Sequence, residues 1–440
     1  MHTQAHPGWA PSASNSTVWN WLPSALLWAV IFISFRPFAK AAATSGAPGA
    51  AAAGGGGDIV NQLGFAGIGA ICLYLLSSRK RLGMSTALLT LSWCAAAVVL
   101  AMSVVIADHP PSAVRAMIFS LIVVLAAFSA MALLRSKDDL VSALAGMVGL
   151  VLFFCYFAVL FVPEKGIHDG SGFEAGHGGL WLGVFDHKNI ASYVMGGMFI
   201  VSLFLIGNGR PRLGIIAAVL SLFFVMQAGS KTVLGVLPAA IVAVAIANWV
   251  TWSFLRLVIV MLPLSLLVFS TLGAVIYEPI LQQLRVYIPG LSYTGRTDLW
   301  IFGIEHLLRS PFVGYGFESF WSTPRVTALE QPIELNWDVR GIVHGHNSWL
   351  DAAVAFGIPG ATLMLMMLVI LPLRDYLAIP QAGNAGKIAG FFMTLWLFSA
   401  LAANLESFFF RRADPVWFLM LIAIIGLRLT AHMTRPSRYA

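Results

Sequence analysis

The sequence predicts an all-α fold of the polytopic integral membrane class, with about twelve transmembrane helices and one large external loop that itself contains helices. Hydrophobic residues make up 59% of the 440 residues, and the mean hydropathy is +0.83. Charged residues make up only 10%, whereas a soluble globular chain carries about 25%. A large soluble core is thereby excluded, and we expect a single membrane domain over residues 1–440.

The apolar runs follow one another along the chain, and each approaches the roughly 17–25 residues that a transmembrane helix needs. The two runs within 213–249 are also compatible with a tilted or re-entrant pair. In chain order the runs lie at about 18–35, 59–76, 84–107, 113–134, 140–162, 190–206, 213–228, 233–249, 257–277, 347–373, 388–405 and 415–429.

Three segments between the runs differ from them in composition. Residues 41–57 are low in complexity and rich in Ala and Gly, which favours a flexible linker without chemistry. Residues 163–189 are expected to form a glycine-rich external loop. Residues 277–346 form the longest polar stretch, which a chain that only spans a bilayer does not need. This large external loop carries Arg285, Arg296, Arg309, Arg325 and Arg340.

The placement of lysine and arginine predicts the orientation, because cytoplasmic loops are enriched in both. With the N-terminus inside, thirteen basic residues lie inside and eight lie outside, when the five in 277–346 are left out. They are left out because long loops cross the membrane regardless of charge. Both termini are therefore expected in the cytoplasm. The net charge of +7 is attributed to basic membrane flanks rather than to nucleic-acid binding.

Seven of the ten histidines fall in segments that are expected to be external, which raises the question of a zinc site. His344, His346 and His187 could supply ligands. Their spacing, however, matches no standard zinc motif, and no cysteine joins them. The sequence therefore predicts neither a metal site nor a cofactor.

His346 directly precedes the run that begins at Asn347, so it lies at the expected start of a helix. Free N–H groups and a partial positive charge at a helix N-terminus favour a neutral imidazole and a nearby anion. A neutral histidine there can accept a proton from a hydroxyl group. The alternative is a plain cap, in which His346, Asn347 and Ser348 satisfy backbone donors. The local sequence leaves both interpretations open and favours the cap.

Arg296 opens an expected helix that runs to Arg309, where Ser310 and Pro311 end it. Asp298 lies on the polar face of this helix, whereas Arg296 falls within the apolar face. A charge that is turned toward protein or membrane needs an anionic partner. Fraying of the first turn, which would release Arg296 to water, is the open alternative.

Two lysines, Lys188 and Lys231, lie at the expected external starts of helices. A lysine there opposes the helix dipole, and snorkelling toward lipid head groups would explain either one alone. Together with Arg296, they predict a cationic pocket at the outer leaflet that suits a pyrophosphate. Arg411 either contributes to this pocket or is a topological flank.

His346-Asn347, followed after nine residues by Gly357-Ile358-Pro359-Gly360, resembles a signature of the bacterial O-antigen ligase and Wzy-type polymerase superfamily. Four further motifs resemble its members in the same order, and the last two resemble exopolysaccharide polymerases of the succinoglycan type most. The resemblance covers about residues 181–360. These motifs are Phe185-Asp186-His187-Lys188-Asn189, Gly229-Ser230-Lys231-Thr232, Thr294-Gly295-Arg296-Thr297-Asp298-Leu299-Trp300 and Gly314-Tyr315-Gly316-Phe317-Glu318-Ser319-Phe320-Trp321.

The resemblance implies an inverting, metal-independent glycosyltransferase of the bacterial inner membrane, acting at the outer, periplasmic face on a glycan carried by undecaprenyl pyrophosphate. His346 corresponds to the family's essential histidine, and Arg296, Lys188 and Lys231 match its basic positions. Implied partners are the lipid-linked glycan, the bilayer, and the chain-length regulator and flippase of the export system, but no nucleic acid. Supporting roles are expected for Asn347, His187, Asp298 and Arg411.

Several functions remain open on these residues, and polymerisation is the one predicted. A polymerase joins the glycan to another lipid-linked repeat unit and makes exopolysaccharide, whereas an O-antigen ligase transfers the glycan to lipid A-core. A twelve-span secondary transporter is an alternative of another class, and a membrane scaffold without catalysis is a third. Transporters often contain paired half-repeats with broken helices near the midplane, and we find no such halves in the sequence.

Overall fold

The structure is a computed structural model that describes residues 21–35, 59–78, 88–170, 176–287, 296–330, 338–411 and 414–434. The linker predicted at 41–57 lies outside these residues. Within them the chain is helical, and the only extended pairing is an isolated antiparallel bridge between Ile167 and Trp181.

Eight of the described helices are long and apolar enough to cross a membrane, and four other apolar helices are shorter. They fall on the apolar runs of the sequence, so the prediction of an all-α polytopic membrane protein is confirmed. Two further helices of ten or more residues lie in the polar stretch after residue 277; the four-residue helices Pro163–Gly166 and Pro324–Thr327 are not numbered. In chain order the helices are α1 (Leu22–Ser34), α2 (Ile59–Ser78), α3 (Leu91–Val105), α4 (Pro110–Leu133), α5 (Lys137–Phe161), α6 (Lys188–Ile206), α7 (Pro211–Gln227), α8 (Lys231–Trp249), α9 (Ser253–Ile276), α10 (Glu278–Tyr287), α11 (Arg296–Arg309), α12 (Ser348–Ala378), α13 (Gly383–Ala402) and α14 (Pro415–Thr434).

Several helices begin at residue types that cap helix N-termini. Ser136 and Asp139 form a capping box at the start of α5. The Ser230 side chain accepts a hydrogen bond from the backbone of Val233 at the start of α8. Asn347 caps α12 through its side-chain oxygen. Polar caps between apolar runs therefore mark where these three helices start.

The centre of the bundle is formed by α13 and α14, which pack against each other. In the most apolar stretches of these helices, 78% and 83% of the residues are buried. Trp396 on α13 and Trp417 on α14 are fully buried. On α9 only 22% is buried, and exposed apolar side chains such as Leu262 and Leu266 suit a surface that faces lipid. The loop that joins α13 to α14 therefore emerges from the central helices of the bundle.

α12 is broken at Gly357, whose φ of 69° and ψ of 179° are not helical. At this break, some backbone N–H and C=O groups of α12 lack the partners that an unbroken helix would give them. They form hydrogen bonds with the segment that follows α11 instead. The motif around Gly357 and the motif that contains Tyr315 are thus two halves of one contact. The contact is made by hydrogen bonds from the amide of Tyr315 to the carbonyl of Val354 (2.9 Å), from Gly316 to Ala355 (2.9 Å) and from Ile358 to Pro311 (2.7 Å).

We expect Gly357→Ala to destabilise the protein by about 1–3 kcal/mol. A Cβ at this position would lie 2.6 Å from backbone atoms of Phe312, and the positive φ disfavours any residue that has a Cβ. Gly235→Ala in α8 is the matched control, because a Cβ there meets no atom within 4 Å. Thermal unfolding midpoints of the two purified variants check this. Equal midpoints would show that the break does not depend on glycine.

Candidate active site

Side chains from four parts of the fold meet at Glu406, in the loop between α13 and α14. Oε1 of Glu406 accepts hydrogen bonds from Nη2 of Arg296 at 2.9 Å and from Nδ2 of Asn189 at 2.8 Å. Its Oε2 lies 3.0 Å from Nδ1 of His346. One carboxylate therefore connects the starts of α6 and α11 with the residue two positions before α12.

Glu406 is ionised in this arrangement. Burial acts to raise the pKa of Glu406, but the hydrogen bond from His346 and the neighbouring charges, above all those of His346 and Arg296, lower it to about 2. An ionised carboxylate only accepts hydrogen bonds, so Nδ1 of His346 carries the hydrogen between them. In the neutral ring Nε2 is then unprotonated, which makes it the atom that can accept a proton.

The backbone of His346 has a φ of 52°, in the left-handed region that is uncommon for residues other than glycine. The preceding residue is fixed from two sides. The carbonyl of Gly345 accepts a hydrogen bond from Nε1 of the buried Trp300 at 3.0 Å, and its amide donates to the carboxylate of Asp351 at 3.1 Å. The fold thus holds His346 in a costly conformation, as is common at functional sites.

The cap at the start of α12 is Asn347 rather than His346. The Asn347 side-chain oxygen accepts hydrogen bonds from the amides of Trp349 at 3.1 Å and Leu350 at 3.0 Å. Asn347 is fully buried, and its backbone N–H donates a hydrogen bond to Oγ of Ser407 at 3.0 Å. The imidazole of His346 is therefore not engaged in capping and is bound to Glu406 instead.

His344 lies next to His346, with their ring centroids 4.2 Å apart. Nδ1 of His344 accepts a hydrogen bond from the amide of His346 at 3.3 Å. Burial lowers the pKa of His344 well below its usual range, and the charge of Arg411 lowers it further. His344 is therefore neutral at neutral pH.

The predicted basic residues are placed unequally around Glu406. Arg296 is 19% exposed and paired with Glu406, so the charge on the apolar face of α11 has the anionic partner that it needs. Lys188 is the first residue of α6, next to Asn189 in the chain, and is partly buried. Lys231 is exposed at the start of α8, and no hydrogen bond or ion pair within the described residues joins it to this cluster. Its part in a pyrophosphate pocket stays a prediction.

The predicted supporting residues also differ in position. Nη1 of Arg411 donates to the carbonyl of Ser407 at 3.0 Å, in the same loop as Glu406. Asp298 is partly buried in the first turn of α11, and among the described residues no hydrogen bond connects it to Glu406 or His346. His187 is the N-cap of α6, because its Nδ1 accepts a hydrogen bond from the amide of Asn189 at 3.1 Å.

The sequence predicted no role for Glu406, Asn189 or Tyr193, although Asn189 ends one of the motifs on which the resemblance rests. Glu406 lies just past the end of the predicted run 388–405, and an acidic residue at the end of a membrane helix usually has a charged partner, which was the available signal. The hydroxyl of Tyr193, one turn after Asn189 on α6, is buried without a hydrogen-bond partner among the described residues. Tyr193 thus follows by one helical turn the residue whose side chain binds Glu406.

Two groups of side chains could bring metal ligands together. The ligand atoms of His344, His346 and Glu406 lie within 4.8 Å of one another. A divalent cation there would replace the hydrogen bond between His346 and Glu406. It would also lie near the guanidinium of Arg296, which repels it. This group therefore fits a metal poorly.

The second group consists of His168, His177 and His187, with ring centroids 5.5, 5.6 and 5.8 Å apart. Nδ1 of His187 accepts a hydrogen bond from the amide of Asn189. A neutral His187 therefore carries its proton on Nε2, which cannot bind a metal in that form. Metal binding by these three rings would require His187 to give up its role as the cap of α6.

Two comparisons with known proteins found similarity to this chain. Residues 216–365 match the family model described as O-Antigen ligase, and the matched region contains Arg296 and His346. This segment is thus similar to the O-antigen ligase family. A stretch of 78 residues is 37% identical to the Exopolysaccharide production protein ExoQ of Rhizobium meliloti (strain 1021), and it covers 18% of this chain and 18% of that protein. The resemblance inferred from the motifs is confirmed, and the O-antigen ligase region lies in a multi-pass membrane protein.

Proposed function

We propose that this protein polymerises undecaprenyl-pyrophosphate-linked oligosaccharide repeat units into exopolysaccharide, by inverting, metal-independent glycosyl transfer. The observation that carries the proposal is the hydrogen bond of 3.0 Å between Nδ1 of His346 and Oε2 of Glu406, which leaves Nε2 of His346 as a base beside the guanidinium of Arg296. Polymerisation is preferred to ligation because the similar protein ExoQ is named for exopolysaccharide production.

In the proposed reaction a hydroxyl group of the acceptor glycan attacks the anomeric carbon of the donor glycan. A new C–O bond forms there as the bond between that carbon and the pyrophosphate oxygen breaks, and its electron pair leaves with the pyrophosphate. Nε2 of His346 takes the hydroxyl proton. Glu406 stabilises the imidazolium that results, as the carboxylate of a catalytic triad does.

The leaving pyrophosphate is a multiply charged anion, which basic side chains can stabilise without a metal ion. The ion pair between Arg296 and Glu406 is made by Nη2. Because a guanidinium has five N–H donors, Arg296 can bind Glu406 and a phosphate oxygen together. Lys188, which adjoins Asn189 at the start of α6, is the second proposed phosphate ligand, and Lys231 is the third.

The proposed location is the bacterial inner membrane, with both termini in the cytoplasm and the Glu406 cluster at the periplasmic face. The positive-inside bias of the sequence supports this orientation. Leu308 on α11 is 68% exposed, so a cysteine at this position, in a variant without the native cysteines, is expected to react with an impermeant thiol reagent on intact cells. Reaction only after permeabilisation would invert the orientation. A chain-length regulator and a flippase are the proposed partners in export.

Glycan analysis of a strain that lacks this protein tests the proposed function. We expect long exopolysaccharide to disappear and single lipid-linked repeat units to accumulate. Long lipid-linked glycan that is no longer attached to lipid A-core would instead identify an O-antigen ligase. Unchanged glycan in amount, length and attachment would exclude both and favour the transporter alternative.

A further inference from the structure

A cavity of about 130 Å³ adjoins the candidate active site at His344. Its wall is formed by the segment 316–321, the first turns of α12 and the loop 407–411. Seven of the residues that line it are phenylalanine or tryptophan. A cavity of roughly 150 Å³ is large enough to take up a benzene molecule, so this one suits a single six-membered ring.

The backbone around this cavity is unusual. Backbone conformations with a positive φ are costly for residues with a Cβ, and they cluster where a fold binds ligands. Two of the four non-glycine residues with positive φ in the described parts of the chain line the cavity, and the other two lie within two residues of lining side chains. The four are Glu318 (55°), Ser322 (59°), His346 (52°) and Phe410 (55°).

The wall combines an aromatic face with hydrogen-bonding groups. The ring of Trp321 is partly buried, and its Nε1 donates to Oδ1 of Asp351 at 2.8 Å, which fixes the orientation of the ring. Glu318 supplies acceptors around it, and Arg411 and the Nε2–H of neutral His344 supply donors. A pyranose has an apolar C–H face that packs on an aromatic ring and hydroxyl groups that need both donors and acceptors.

The position of the cavity indicates which sugar it takes. The cavity lies on the His344 side of His346, and the two imidazole rings are 4.2 Å apart. His346 also contacts Oε2 of Glu406, and Arg296 binds Oε1 of the same carboxylate. The cavity and Arg296 are therefore both close to His346, each through a different neighbour, as is expected if the acceptor occupies the cavity and the pyrophosphate binds Arg296.

We propose that the cavity binds the terminal pyranose ring of the acceptor glycan, stacked on Trp321 and with one hydroxyl directed toward His346. This proposal rests on the proposed function, since it assigns a sugar of the acceptor to the same site. It separates the two substrates in space: the acceptor ring lies against Trp321, and the donor pyrophosphate lies against Arg296.

Binding measurements with purified full-length protein in nanodiscs test this separation. The acceptor probe is the repeat-unit oligosaccharide released by mild acid from lipid-linked glycan of the deletion strain, and the donor probe is undecaprenyl pyrophosphate. Trp321→Leu should weaken oligosaccharide binding roughly tenfold, the usual effect of losing an aromatic contact, and leave undecaprenyl pyrophosphate binding unchanged. Arg296→Lys should weaken undecaprenyl pyrophosphate binding and leave oligosaccharide binding unchanged. Trp321→Phe keeps a ring and should retain most of the oligosaccharide affinity.

The exposed Trp252, in the connection between α8 and α9, provides the matched control, since Trp252→Leu should change neither affinity. Unchanged oligosaccharide binding in Trp321→Leu, or an equal loss for both probes, would overturn the acceptor site while leaving the proposed function intact. Equal losses in Trp321→Phe and Trp321→Leu would also overturn it, because the contact with Asp351 and not the ring would then matter. If wild-type protein bound neither probe, the proposed function itself would fail, and the acceptor site with it.

Discussion

Glu406→Gln should lower the rate of polymer synthesis by about 10²–10⁴, the range for removing the group that orients and stabilises a catalytic base. A glutamine is uncharged, so it cannot stabilise the imidazolium that forms on His346. Its amide group can also turn a donor toward Nδ1, which favours the tautomer that has its proton on Nε2. Polymer length and yield from purified lipid-linked repeat units give the measurement.

The control for Glu406→Gln is Glu305→Gln, which changes an exposed glutamate on α11 and should leave synthesis unchanged. Removing one partner of a buried ion pair can cost about 3–5 kcal/mol, so the folded fraction of Glu406→Gln must be measured by size-exclusion chromatography and thermal unfolding. Well-folded Glu406→Gln with near-normal synthesis would show that the carboxylate is not needed for the reaction.

His346→Ala should lower polymer synthesis by about 10²–10⁴, the usual contribution of a positioned general base. Folding and membrane insertion should persist, because Glu406 keeps its hydrogen bonds from Arg296 and Asn189. The comparison is His344→Ala, which removes the neighbouring ring but not the base and should have a much smaller effect. The same assay of polymer length checks both variants.

A chelator extends the test of His346. Added EDTA should leave the wild-type rate unchanged, because the proposed stabilisation of pyrophosphate uses basic side chains. Loss of synthesis in EDTA that a divalent ion restores would favour metal binding by one of the two histidine-containing groups. Near-normal polymer from His346→Ala would remove His346 from the chemistry altogether.

Much of the fold could be predicted from local sequence, since apolar runs and helix stop signals act over short distances. The helix Arg296–Arg309 was predicted with both of its ends. Its C-terminal end was predictable because Ser310 and Pro311 stop a helix there. The break at Gly357 was not predicted, since the apolar pattern continues through it and hides the change of direction. The break depends on a contact with the segment around Tyr315, about 40 residues away in the chain.

The candidate site could be predicted in part. The position of Arg296 on an apolar face required an anion, and the sequence suggested a substrate pyrophosphate. The structure adds a protein carboxylate, Glu406, which is 110 residues away from Arg296 in the chain. No local pattern links residues at that separation, and the fold brings them together because α13 ends beside the starts of α11 and α12.

The claim that His346 and Glu406 act as one unit is tested most directly by the double variant His346→Ala, Glu406→Gln. Residues that act together have losses that do not multiply. We therefore expect the double variant to synthesise polymer within about threefold of the slower single variant. A double variant slower by the product of the two single losses would show that the two side chains act independently and would contradict the proposed mechanism.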